Sequence, residues 1–204
     1  MKIIFATGNE NKMKEIREIM ADLHCEVLSM KEAGIVVEVE EDGETFEENA
    51  QIKARAIAEV AKDAIVLADD SGLEIDFLNK EPGVRSSRFM GVDTPYTIKN
   101  QHILELLKET EEEQRSARFV CAIAAVLPDK KEKVIRATIE GQIAKESIGE
   151  EGFGYDPIFY VPEFGCTTAE LSMEQKNKIS HRGKALAKMK KFIIEYYGMQ
   201  KQSK

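Results

Sequence analysis

An apolar run over residues 2–6 stops at Thr7-Gly8-Asn9, which reads as a buried strand closed by a turn. From Asn11 the period changes. Met13, Ile16, Ile19, Met20 and Leu23 fall on one helical face, with Lys14, Glu15, Arg17 and Glu18 on the other. A short strand at Glu26–Ser29 completes a strand–turn–helix–strand opening of the α/β kind. The acidic stretch Glu38–Glu44 leads into a helix over Thr45–Ala61, whose Thr45 and Glu48 match a capping box. Ala64–Ala68 is a further apolar strand, ending in Asp69-Asp70-Ser71-Gly72. Past Pro82-Gly83 and Arg85–Arg88, the pattern predicts a helix over Tyr96–Glu109. Two long strands then follow, Ala117–Leu127 and Lys133–Ala144. Their short connection, Pro128-Asp129-Lys130-Lys131, predicts an antiparallel hairpin. Gly152–Pro162 reads as an irregular aromatic segment, and helices over Ala169–Lys178 and His181–Tyr197 close the chain. With no repeat, linker or low-complexity tract, residues 1–204 read as one α/β domain with a mixed sheet, in two lobes around a cleft.

Composition narrows the partners. Of 204 residues, 43% are hydrophobic and 32% charged, enough to bury a sizeable core. The 29 Lys+Arg against 37 Asp+Glu leave a net charge of -8, which disfavours a nucleic-acid partner held by a broad basic face. Small phosphorylated ligands stay open, since a few local cations and a metal ion can meet their charge. Cys25, Cys121 and Cys166 are widely spaced without a CxxC pair, so neither a disulfide framework nor a zinc site is expected. The apolar run at the N-terminus is too short for a secretory h-region, and no stretch approaches ~18 apolar residues. The expected compartment is the cytoplasm, with no membrane partner.

Four segments carry candidate chemistry. Thr7, Gly8, Asn9, Glu10, Asn11 and Lys12 lie between a strand and a helix, where unsatisfied helix amides and a lysine favour an anion. The same spacing also fits a plain glycine turn with a capping Asn. Asp69 and Asp70 follow a buried strand, and two adjacent carboxylates there call for a cation. The crowd of Glu38, Glu40, Glu41, Asp42 and Glu44 reads either as solvated surface or as the second half of a metal site. Gly152-Phe153-Gly154-Tyr155-Asp156-Pro157 reads as a core turn or as an aromatic platform for a base. Finally Lys176, Ser180, His181 and Arg182 form a basic patch at the start of the last helix, with Ser180 a plausible cap. Cations there run against the helix dipole and invite a reason.

Taken in order, these segments resemble the inosine/xanthosine triphosphate pyrophosphatase family of the Ham1 type. The matching residues are Thr7-Gly8-Asn9 with Lys12, Thr45-Phe46 with Glu48-Asn49-Ala50, and Ala68-Asp69-Asp70-Ser71-Gly72-Leu73. Further on come Pro82-Gly83 with Ser87-Arg88-Phe89, Gly152–Phe159, and Ser180-His181-Arg182-Gly183. The resemblance implies an elongated, two-lobed α/β fold around a nucleotide cleft. It also implies a Mg²⁺-dependent homodimer that hydrolyses ITP, dITP and XTP to the monophosphate and pyrophosphate. By position, Thr7–Lys12 would hold the triphosphate; Glu40 and Asp70 would organise Mg²⁺, Asp70 also taking the proton of the attacking water. Ser71, Phe153, Gly154, Tyr155, Asp156, Lys176, His181 and Arg182 would contact the nucleotide. Arg182 or nearby backbone would donate to the 6-oxo group and Asp156 would accept from a ring N–H. A Maf-type pyrophosphatase for pyrimidine or methylated nucleotides, a non-hydrolysing nucleotide sensor and an RNA binder using the C-terminal lysines are the competing readings.

Overall fold

The computed structural model describes residues 2–23 and 25–202, with side-chain surroundings described as far as residue 198. Its strands are β1 (Lys2–Phe5), β2 (Glu26–Ser29), β3 (Ile65–Ile75), β4 (Ser116–Val126), β5 (Glu132–Ile143), β6 (Phe159–Val161) and β7 (Cys166–Thr167). The helices are α1 (Glu10–Met20), α2 (Phe46–Val60), α3 (Tyr96–Leu106), α4 (Met173–Ile179) and α5 (His181–Gln202). The strands run in one sheet ordered β2-β1-β3-β4-β5-β6-β7. β1 is parallel to β2 and β3, while β6 is antiparallel to β5 and β7. The sheet is therefore mixed, as the alternation of helical and strand-like segments implies.

Local rules account for most boundaries. Asn9 caps α1 by accepting from the Asn11 and Lys12 amides at 3.0 and 3.1 Å. Thr45 and Glu48 form the expected capping box at α2, which satisfies orphan amides from both sides. Between β4 and β5 the Leu127 and Lys130 amides close the turn onto Lys131 and Leu127 carbonyls, both at 2.9 Å. Among the described residues, no helix is long and apolar enough to cross a membrane.

The structure moves several boundaries. β3 does not end at Ala68: it is eleven residues long and continues through Asp69 and Asp70 to Ile75. Leu73 and Ile75 are fully buried, so apolar burial resumes beyond the carboxylates and keeps the strand going. The end of the aromatic segment is a strand, β6, paired with β5, and a short strand β7 at Cys166–Thr167 precedes the region where a helix was expected. α4 starts at Met173, where Ser172 caps it, and α3 ends at Leu106.

The chain divides into two compact units, each discontinuous in sequence. One comprises Met1–Asp70, Cys121–Ala137 and Arg182–Lys204; the other comprises Ser71–Val120 and Thr138–His181. The first has a core of Ile3, Phe5, Met13, Ile16, Leu67, Ile123, Leu186 and Met189 among others. The second is built on Leu73, Ile75, Ile103, Phe119, Ile139, Ile158 and Phe159.

Candidate active site

In the first unit, the turn after β1 is open to solvent from Gly8 to Asn11. Asn9 spends its side-chain oxygen on two of the α1 amides, and its own amide donates to Thr7 Oγ1 at 3.1 Å. Among the described residues the Gly8 and Glu10 N–H groups have no acceptor, so these donors remain for an anion. Lys12 reaches back from α1 to pair with Asp69 Oδ2 at 2.9 Å.

Asp69 and Asp70 are 1% and 7% exposed, and as strand neighbours they point to opposite sides of β3. That parity gives them different company. Asp69 meets Lys12, and also Arg182 Nη2 at 3.5 Å, while Arg182 Nη1 binds Glu15 at 2.5 Å. Burial works to raise the Asp69 carboxyl, but the Lys12, Arg182 and Lys53 charges outweigh it and hold it far below the usual carboxylate range. Asp70 faces α2: Asn49 Nδ2 donates to its Oδ2 at 3.2 Å and Lys53 Nζ to its Oδ1 at 3.5 Å. For Asp70 burial wins and its pKa is raised, with Lys53 and Lys12 opposing and Glu41 and Asp69 adding to the rise.

The acidic loop is fastened to the same helix. Asn49 Oδ1 accepts the Gly43 amide at 2.9 Å. A Cβ at Gly43 would lie 2.8 Å from that oxygen, so the close approach requires glycine. Lys53 Nζ also pairs with Glu41 Oε2 at 3.1 Å, and its pKa is raised because Asp70, Asp69 and Glu41 overcome its desolvation. From Val36 to Glu44 exposure alternates residue by residue, with Glu38, Glu40, Asp42 and Glu44 exposed and Glu41 half-buried. Of these acids it is the half-buried Glu41 that pairs with Lys53. Glu40, the neighbouring acid, is exposed.

In the second unit, Phe153, Gly154, Tyr155 and Asp156 form a loop held from several sides. Asp156, 2% exposed, accepts from the Phe153 amide at 2.7 Å, from Lys176 Nζ at 2.6 Å and from Thr168 Oγ1 at 2.8 Å. Its carboxylate thus organises the loop. Lys176 Nζ stands 4.8 Å from the Phe153 ring centroid, a cation–π contact. Tyr155 packs edge-on against Tyr96 and donates its hydroxyl to Ser86 O at 2.8 Å; burial raises its pKa. His181 stacks on Phe119 with centroids 4.8 Å apart. Ser71, half-exposed, begins this unit.

Asn49, Lys53 and Glu15 were not among the sequence candidates, yet each touches a carboxylate or guanidinium of the first unit's site. Asn49 and Lys53 stand four residues apart on α2, beside buried Phe46, Ala50, Ala54 and Ile57. A polar pair at that spacing within an apolar stripe is the signal that could have found them.

An anion-ready turn opening a helix, on a mixed sheet with buried carboxylates, is the equipment of an α/β protein for phosphorylated ligands. The chain belongs to the Ham1 family, whose model matches residues 3–192. It is 47% identical over 195 residues to a dITP/XTP pyrophosphatase of Caldanaerobacter subterraneus subsp. tengcongensis, covering 96% of this chain and 97% of that one. A dITP/XTP pyrophosphatase of Bacillus subtilis is 47% identical over 190 residues, 93% of this chain and 96% of the relative. The solved structure of the Staphylococcus aureus Ham1 protein matches with a TM-score of 0.85 at 41% identity, over 96% of this chain and 100% of that one.

Proposed function

We propose that this protein hydrolyses dITP, ITP and XTP to the nucleoside monophosphate and pyrophosphate, in a Mg²⁺-assisted reaction. Asp70 carries the reading: a buried carboxylate with a raised pKa, flanked by Lys53, Asn49 and Glu41. In this reading Lys12 and the Gly8 and Glu10 amides receive phosphate oxygens. Asp70 takes a proton from the water whose oxygen bonds to the α-phosphorus, while the bond to the β-phosphate oxygen breaks and pyrophosphate leaves.

The residues present fit a magnesium ion. Glu41 and Asp70 offer hard oxygen donors already gathered around one cation, Lys53. Magnesium usually takes one or two protein carboxylates and leaves the rest to water and substrate phosphate. When bound, the ion supplies neutralisation of phosphate charge. Glu41 is the second carboxylate in this reading, in place of Glu40.

The Phe153–Asp156 loop reads the base, Phe153 by stacking and Lys176 by charge. Inosine and xanthosine present a 6-oxo acceptor where adenosine presents an amino group, so donors that lose their acceptor reject ATP. His181 supports this unit from Phe119, and Arg182 serves the first unit by fixing Asp69. We further infer a cytoplasmic homodimer without nucleic-acid partners. Ile98 and Leu106, 52% and 46% exposed on α3, offer apolar surface for a second copy, to be checked by light scattering. The decisive assay offers Mg²⁺ with ITP, dITP, XTP, GTP, ATP, UTP or dTTP and follows pyrophosphate. Release from the three oxo-purine substrates over ATP and GTP is expected; preference for UTP or dTTP would favour the Maf-type reading, and no release at all would refute the activity.

A further inference from the structure

Asn100, on α3, is 4% exposed, and its Nδ2 donates to the Gly154 carbonyl at 3.1 Å. Among the described residues its Oδ1 is buried with no hydrogen-bond partner. A buried orphan acceptor is unfavourable, and a leucine would fill the same space without it. The amide is therefore kept here for its N–H₂ group, and what that group holds is one peptide unit of the base-facing loop.

That unit needs holding. Gly154 sits at φ +71 and has no Cβ, so on its own side little besides hydrogen bonding restrains the following peptide, and it is half-exposed, so a released carbonyl could turn to water. Tyr155 is anchored separately, by its hydroxyl on Ser86 O and its ring on Tyr96. In a trans peptide the C=O and the next N–H point in opposite directions. With its carbonyl fastened to α3, the unit directs the Tyr155 N–H away from that helix. Among the described residues this N–H has no acceptor.

We propose that Asn100 is a positioning residue for base discrimination: by fastening the Gly154 carbonyl it sets the plane of the Gly154–Tyr155 peptide and presents the Tyr155 N–H as a fixed donor to an oxo-purine. The proposal rests on the reading that the Phe153–Asp156 loop contacts the base. Free rotation of this peptide would let a carbonyl take the place of the N–H, and a carbonyl accepts from the 6-amino group of adenine. Loss of Asn100 thus weakens ITP and relaxes the exclusion of ATP.

The test compares Asn100→Leu with the unaltered protein for ITP and ATP, by steady-state kinetics and by calorimetric Kd, alongside thermal unfolding. Removing one hydrogen-bond restraint should lower kcat/KM for ITP about tenfold, mainly through KM, with ATP unchanged or improved and the melting temperature preserved. Equal losses for ITP and ATP, or an unchanged ratio in a folded variant, would overturn the proposal. Should Asn100→Leu not fold, Asn100→Ala is read by the same ratio. Phe153→Ala separates the two layers. If it abolishes the ITP preference and folded Asn100 variants do not, Asn100 alone is refuted; if it too leaves the preference intact, the base-reading loop fails and the proposal with it.

Discussion

The candidate sites of the two units are each held together by different physics. In the first, charge is set against buried charge: Glu15, Glu41, Asp69 and Asp70 against Lys12, Lys53 and Arg182. Four carboxylates face three cations, which leaves an appetite for one more positive group. In the second, Asp156 and Lys176 form a buried pair, and further restraints on the loop are the Thr168 hydroxyl on Asp156, hydrogen bonds to backbone and ring contacts. On the proposed reading, the first unit takes a polyphosphate through a cation held at its excess carboxylates, whereas oriented peptide groups and a ring attract little but distinguish one base from another. If the proposed roles hold, affinity for the tail and choice of the head can be altered separately.

The comparison is broken most severely at Arg182. Arg182→Ala leaves Glu15 and Asp69 buried without this guanidinium, and the cost is about 3–5 kcal/mol of folding stability, read from urea unfolding. A variant of unchanged stability that lost only base preference would return Arg182 to the role its sequence position implied. Next comes Asp70→Asn, which keeps shape and removes the proton acceptor. Turnover of ITP should fall about 10²- to 10³-fold while Kd stays within a few-fold; loss of both together would make Asp70 a scaffold and not the base. Smaller is Phe153→Ala, expected to weaken ITP roughly tenfold and leave inorganic triphosphate unaffected in calorimetry. Parallel weakening of both ligands would erase the division between the regions.

The smallest effect concerns Asp76, which lies in neither site. Hydrogen bonds from Arg118 and Lys80 hold its carboxyl below the ordinary value, while partial burial opposes them and Ser116 adds to the lowering. A depressed folded pKa stabilises above the unfolded value, and the contribution is lost as pH falls through the folded one. Asp76→Asn should therefore cost less than about 1 kcal/mol near neutrality, given its partial exposure, and the difference from the parent should shrink in strong acid. Chemical unfolding followed from pH 7 downward checks it; a gap that widens on acidification would contradict the sign.

How much of this was legible beforehand depended on whether the signal was local. The Asn9 cap and the Thr45–Glu48 box are written in adjacent residues, and both elements begin where those residues say. Asp69-Asp70 misled because two charges after an apolar run look like a strand's end; only partners distant in sequence, Lys12 and Arg182, make their burial tolerable. Glu40 and Glu41 differ by one position in a uniformly acidic stretch, so nothing short of the backbone's pleat could separate them. Asn100 gave no sign at all, because its importance lies in a carbonyl fifty-four residues away. Family resemblance supplied the order of the motifs, and the side-chain geometry supplied their division of labour.

The alternation along Val36–Glu44 carries one more implication. Which acid meets Lys53 is decided by odd and even, so the length of this segment is under tighter constraint than its composition. Exchanging the outward acids should be tolerated. Deleting a single residue ahead of Glu41 would turn the whole row over, whereas deleting two would set it right again.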